Sequence, residues 1–151
     1  MKIISKNKKA YFDYEILEKF EAGIVLTGRE VKSIKLGRIN LRGSYVVLRE
    51  KAGRVEAYLI GCHVPPYQPK NTPADYNPER TRKLLLRRKE INYLLGKSRQ
   101  RNLTLVPLEV YTKKSLIKLS LAIAKGRKKF DKRELIKKRD TEREIRRALK
   151  G

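Results

Sequence analysis

Little in this 151-residue chain suits covalent chemistry, and acidic residues are scarce. A single cysteine, Cys62, excludes an internal disulfide framework and a cysteine-based zinc site. A single histidine, His63, stands next to it; strand neighbours point to opposite faces, so the two cannot act as nucleophile and base. The apolar runs are only a few residues long, too short for a transmembrane helix. The opening Met1-Lys2-Ile3-Ile4-Ser5-Lys6 lacks an apolar h-region, so no secretory signal is expected. These absences predict a protein of the reducing cytoplasm with no membrane partner. Against 16 acidic residues stand 39 basic ones, a formal charge of +23. Such an excess needs a polyanion, and nucleic acid is the commonest.

The charge is uneven. Residues 125–151 hold thirteen basic and five acidic residues and few apolar ones. That predicts a globular body over residues 1–125 and a basic tail over residues 126–151. Glu134–Lys138 and Glu142–Arg146 are favourable i,i+4 pairs, each worth about 0.2–0.5 kcal/mol. A lone helix of this length is marginal in water, so the tail is expected to be disordered when free and helical against RNA.

From Phe12 the even positions Phe12, Tyr14, Ile16, Phe20 and Ala22 are apolar and the odd ones mostly polar, the period of a half-buried strand. Thr27-Gly28-Arg29-Glu30 fits a capping box, predicting a helix from Gly28 to Leu36 that stops at Gly37. Ser44–Glu50 and Arg54–Ile60 read as a hairpin. Five prolines between Pro65 and Pro78 predict an irregular connection, and Asn77-Pro78-Glu79 a possible second helix start. Leu84-Leu85-Leu86 fits helix or strand equally. A helix is expected over Lys89–Arg99. Strands are expected over Leu103–Tyr111, with an edge or bulge at Pro107, and over Leu116–Ala124. Amphipathic strands in this order predict a mainly β fold with added helices: an OB-fold-type antiparallel β-barrel with one wet face.

Gly96-Lys97-Ser98 imitates a phosphate-binding loop, but its first glycine position holds Ile91. Carboxylates such as those of Arg29-Glu30 and Lys89-Glu90 read as solvated, ion-paired faces. No metal-ligand cluster or acid–base pair stands at readable spacing, so neither enzymatic activity nor a cofactor is expected. Three basic clusters remain: Lys6, Lys8 and Lys9; Arg80, Arg82, Lys83, Arg87, Arg88 and Lys89; and Lys125, Arg127, Lys128 and Lys129. Together they can track phosphates. Tyr11, Tyr14 and Tyr45 are candidate stacking platforms, although Tyr14 falls on the apolar face, where core packing competes.

Six stretches carry a family resemblance: Asn7–Ala10, Phe20–Gly23, Gly28–Ser33, Arg80–Leu86, Leu103–Leu108 and Ala124–Arg133. In this order they closely resemble the small protein B (SsrA-binding protein) family of bacterial trans-translation. The resemblance implies an RNA-binding adaptor, acting as a monomer, that binds the tRNA-like domain of tmRNA. With elongation factor Tu in the tmRNA complex, it would help deliver that RNA to a stalled ribosome. By tRNA mimicry the barrel replaces an anticodon arm, while the tail enters the mRNA path beyond the decoding centre. RNA-binding positions carry over onto Asn7, Lys8, Lys9, Tyr14, Glu21, Lys118, Lys125, Gly126, Arg127 and Lys128, and ribosome-contacting ones onto Asp131, Lys132, Arg133, Lys137, Lys138 and Arg139. Lys114-Ser115 stands where family members often have Asn-Gly, and Phe130 where histidine or tyrosine is frequent. A ribosomal or ribosome-assembly RNA-binding protein is the alternative function.

Overall fold

The computed structural model describes residues 1–150, without the side chains of residues 129, 130, 131 and 150. Chain order is β1 (Lys2–Lys6), α1 (Lys8–Asp13), β2 (Tyr14–Ile24), α2 (Gly28–Lys35), β3 (Tyr45–Lys51), β4 (Arg54–Ile60), β5 (Arg82–Leu85), α3 (Arg88–Ser98), β6 (Leu103–Lys113), β7 (Leu116–Gly126) and α4 (Lys129–Lys150). All strands pair antiparallel in the order β1-β6-β7-β2-β5-β4-β3. The fold is mainly β with added helices, as expected. Among the described residues no ladder joins β3 to β1, so the sheet is not closed by hydrogen bonds. It curls instead: Val46, Ala57, Leu59, Leu84, Leu119, Leu121 and Ile123 share one buried core. Burial of each large aliphatic side chain contributes about 1.5–3 kcal/mol.

The predicted capping box of α2 is present. The Glu30 amide donates to Thr27 Oγ1 at 3.3 Å and the Thr27 amide to Glu30 Oε1 at 2.9 Å. Gly37 follows the helix at φ +82°, a left-handed position that glycine takes without strain. The β3–β4 hairpin pairs in regular register from Tyr45↔Ile60 to Lys51↔Arg54. Pro107 marks a bulge, between Pro107 and Glu109, and β6 is not an edge because β1 pairs with it beyond the bulge. Lys114 and Ser115 both take positive φ, 49° and 65°, as a type I′ hairpin turn requires.

Three expectations need correction. First, β1 and α1 replace the lead-in that was read only as a basic cluster. Asn7 caps α1, its Oδ1 accepting from the Ala10 amide at 3.2 Å, and because α1 takes up Phe12 the strand begins at Tyr14 rather than Phe12. Second, Asn77 starts a turn, not a helix: the Glu79 amide donates to its Oδ1 at 3.0 Å and the Arg80 amide to its carbonyl at 3.2 Å. Asn-Pro suits turns as well as helix starts, and the chain must become extended because Leu84-Leu85 belongs to β5, paired on both sides. Third, the wet face is partly dry. Ala10 of α1 covers Val106, Leu108, Ala122 and Ala124, a second buried cluster on the outer side of β6 and β7.

β2 hides a change of face. Tyr14 and Ile16 pair with Gly126 and Ala124, and both pack against the second cluster. A bulge lies between Ile16 and Glu18, and beyond it Phe20 and Ala22 pair with Leu121 and Leu119 of the main core. The bulge leaves Leu17 exposed and reverses which parity points inward. Unbroken alternation would place Tyr14 and Glu21 on opposite faces; the bulge places both on the outer one.

α4 is mostly exposed, with Ile136, Ile145 and Leu149 open to solvent. It meets the body at α1: Lys132 Nζ lies 3.0 Å from Asp13 Oδ1, and Lys132 and Arg139 sit over the Phe12 ring at 5.8 and 5.6 Å. Glu134 pairs with Lys137 at 3.8 Å rather than with Lys138. No helix among the described residues is long and apolar enough to cross a membrane.

Candidate nucleic-acid interface

The basic clusters separate once their partners are known. Arg82 is 1% exposed. Its Nε donates to Glu30 Oε2 at 2.7 Å, its Nη1 to the carbonyls of Cys62 and Arg80 at 2.8 and 3.0 Å, and its Nη2 to that of Pro78 at 3.0 Å. Arg80 Nη2 meets Glu30 Oε1 at 2.6 Å. Glu30 is therefore no solvated carboxylate: burial alone would raise its pKa, but hydrogen bonds from Arg80 and the Thr27 amide and the charge of Arg82 hold it below the ordinary value. Arg88 is turned onto Val55 O and Glu56. Glu90 is not a surface ion pair either; it accepts from the Arg87 amide at 3.1 Å and caps α3. Cys62 is fully buried, which pushes its thiol up to about 11, while His63 is half-buried and faces Glu79 at 3.6 Å.

Three open grooves hold the other cations. The first, about 700 Å³, is lined by Glu21, Lys83, Leu85, Arg87, Arg88 and Lys118. The second, about 710 Å³, runs between the end of β7 and α4, lined by Glu15, Lys125, Gly126, Arg127, Lys128 and Lys138. The third, about 260 Å³, lies between α1 and the turn before β3, with Asn7, Lys9, Tyr14, Ser44, Tyr45 and Thr104. Beside it, Lys6, Lys8 and Lys9 face Asn40 and Arg42. Lys118 and Lys125 sit seven residues apart on β7, roughly 24 Å at about 3.4 Å per residue. The odd spacing gives Lys118 the outer parity of Ala122 and Ala124 and Lys125 the parity of Leu121 and Ile123, so the candidate residues form two patches at opposite ends of β7.

Each expected position has a definite place. Asn7 is 6% exposed and structural in its contacts: besides capping α1, its Nδ2 donates to Pro107 O at 2.9 Å. Lys8, Lys9, Lys125, Gly126 and Lys128 are exposed. Arg127 is half-buried; its amide donates to Asp13 O at 2.8 Å and its Nε has no hydrogen-bond partner among the described residues. Tyr14 divides between roles, packed against the second cluster yet lining the third groove with Tyr45, which is 49% exposed. Tyr11 is less open than its type suggests. Its hydroxyl donates to Glu109 at 2.6 Å, and Lys6 and Lys19 lie over its ring at 4.7 and 5.5 Å. Of the tail positions, Lys132 and Arg139 lie against α1, and Arg133, Lys137 and Lys138 are exposed. Asp131 belongs to α4, and its side chain lies outside what the structure describes.

Glu21 is the expected acid of the first groove, which Glu56 and Glu90 also line. The Tyr111 hydroxyl donates to it, and Lys113 Nζ stands 3.4 Å from both its oxygens. The hydrogen bond from Tyr111, then the charges of Lys113 and Lys118, hold its carboxyl below the ordinary value. Sequence reasoning missed Tyr111, Lys113, Asn40 and Arg42. Only the period-two placement of Tyr111 opposite Lys118 could have pointed to the first.

The family model described as SmpB protein matches residues 4–151. The chain belongs to the SmpB protein family. It is 52% identical over 149 residues to the SsrA-binding protein of Gloeothece citriformis, covering 99% of this chain and 94% of that protein. It is 50% identical over 150 residues to the SsrA-binding protein of Carboxydothermus hydrogenoformans, covering 99% and 97%. Among solved structures it resembles a chain of "tmRNA-SmpB: a journey to the center of the bacterial ribosome", with a TM-score of 0.65 at 43% identity over 83% of this chain and 85% of that one. The resemblance carried by six short stretches, expected over nearly the whole chain from Asn7 to about Leu149, is matched by the family model over residues 4–151.

Proposed function

We propose that this protein is an RNA-binding adaptor, without catalysis of its own, that binds the tRNA-like domain of tmRNA. It delivers that RNA, with elongation factor Tu, to stalled ribosomes in the cytoplasm. The observation that carries the reading is the outer face: the Leu17 bulge aligns Tyr14, Glu21 and Lys118 on one side of the sheet, with the Lys125–Lys128 corner at its far end. Lysines and arginines there hold phosphates, and Glu21 accepts from a base amine or a 2′-hydroxyl. The sheet serves as an OB-type barrel; the packing of β3 onto β6 around the shared core supports this. The protein works as a monomer, its edge strands carrying Lys2 and Lys6 on one side and Arg49 and Lys51 on the other.

The tail acts separately. Arg133, Lys137 and Lys138 follow the mRNA path, and the apolar stripe of α4, with little to pack on, lets the helix fray in the free protein and reform on the ribosome. Sequencing RNA co-purified with the full chain tests the adaptor reading: enrichment of tmRNA is expected, whereas recovery of ribosomal RNA alone would favour an assembly protein. Truncation after Lys129 removes α4, and is expected to leave affinity for isolated tmRNA near the full-length value while abolishing rescue of stalled ribosomes. Parallel loss of both would show that body and tail do not divide the work.

A further inference from the structure

We infer that Tyr111 is a positioning residue for RNA recognition: its buried hydroxyl fixes the Glu21 carboxylate so that one oxygen is presented to a hydrogen-bond donor on the RNA. This rests on the proposed RNA role of Glu21. Tyr111 is 6% exposed and lies on β6 directly opposite Lys118 of β7, while Glu21 lies on β2, beyond β7, opposite Ser120. The phenol reaches across the middle strand on the outer face to Glu21 Oε2. A glutamate has a broad terminal torsion, and on a chain of charge +23 it would otherwise follow whichever lysine is nearest. Tyr111 removes that freedom. Lys113, 3.4 Å from both oxygens, supports the same pose from the exposed side, and Glu21 and Lys118 line the first groove together. Burial, then the bond to Glu21, raises the phenol pKa, so Tyr111 remains a donor throughout the physiological range.

A buried phenol also needs a partner for its own sake, and Glu21 alone would satisfy it. Binding of a transcript of the tmRNA tRNA-like domain separates the two accounts. Tyr111→Phe keeps the ring and is expected to weaken binding about 3- to 10-fold, because the carboxylate is still present but no longer held. Glu21→Gln should weaken it at least as much, and the double variant should be no worse than Glu21→Gln. The salt slope should not change in Tyr111→Phe, because no phosphate contact is lost. The Glu21 carboxyl, followed by NMR titration, should rise toward its ordinary value. Lys113→Ala, at an exposed position, should show a smaller loss and guards against misfolding of the first variant. If Glu21→Gln weakens binding while Tyr111→Phe and Lys113→Ala do not, the positioning role is overturned. If Glu21→Gln leaves binding unchanged, the RNA role of Glu21 falls and the positioning role falls with it.

Discussion

Arg80-Thr81-Arg82-Lys83 and Lys125-Gly126-Arg127-Lys128 each place three cations in four residues, and by composition they are interchangeable. In the fold they do opposite things. Arg82 is driven inward, where one carboxylate and three carbonyls surround its guanidinium and tie α2 to the irregular segment before β5. The second cluster lies past the buried part of β7; Lys125 stands opposite Glu15 at the strand's end, and Lys125 and Lys128 stay exposed to solvent. The difference lies in the partner: Glu30 sits 52 residues from Arg82 in the chain and caps a helix at the same time. A basic cluster is open to phosphates only where the fold leaves its charges in solvent.

The comparison can be broken first at Arg82. Arg82→Met should destabilise the body by about 3–5 kcal/mol, because Glu30 stays buried with one partner fewer; urea unfolding measures this. A loss under 1 kcal/mol would mean the cluster is not structural. Next comes acid. The folded pKa of Glu30 lies below its unfolded value of 4.5, so its stabilisation is complete above about pH 4.5 and disappears as pH falls through the folded value. Glu30→Gln should flatten the acid limb of the melting curve, and an unchanged limb would assign acid sensitivity elsewhere. At the other corner, Lys125→Ala should leave stability within about 0.5 kcal/mol and reduce the log–log salt slope of RNA binding by roughly 0.7–0.9 per phosphate released. Loss of stability instead of slope would reverse the two roles. The smallest effect is expected of Gly126→Ala. An added Cβ there meets no atom within 4 Å, so melting should hardly move, while RNA binding weakens where backbone and RNA approach closely. Unchanged binding would remove Gly126 from the interface.

Elements with local signals were legible in the sequence. The capping box at Thr27 and Glu30, the Lys51-Ala52-Gly53 hairpin and the Pro107 bulge each depend on neighbours a few residues apart. What escaped depends on distant partners. β5 is too short for periodicity and becomes a strand by pairing with β2 and β4. α1 is six residues long, under two turns, and its cap Asn7 is held by Pro107, 100 residues away. Glu21 and Lys118 were named in advance, but Tyr111 was not, since a tyrosine in a strand announces packing and not the carboxylate its hydroxyl will meet. Arg82 stood among the exposed cations for the same reason: nothing near it in the chain shows that Glu30 is waiting.

The extra residue at Leu17 acts as a frameshift within β2. Deleting it would restore strict alternation, and either Tyr14 would turn into the main core or Glu21 would. Insertions and deletions in this strand are therefore far less tolerable than substitutions at the exposed Leu17 side chain, because one position in the count decides whether Tyr14 and Glu21 share a face.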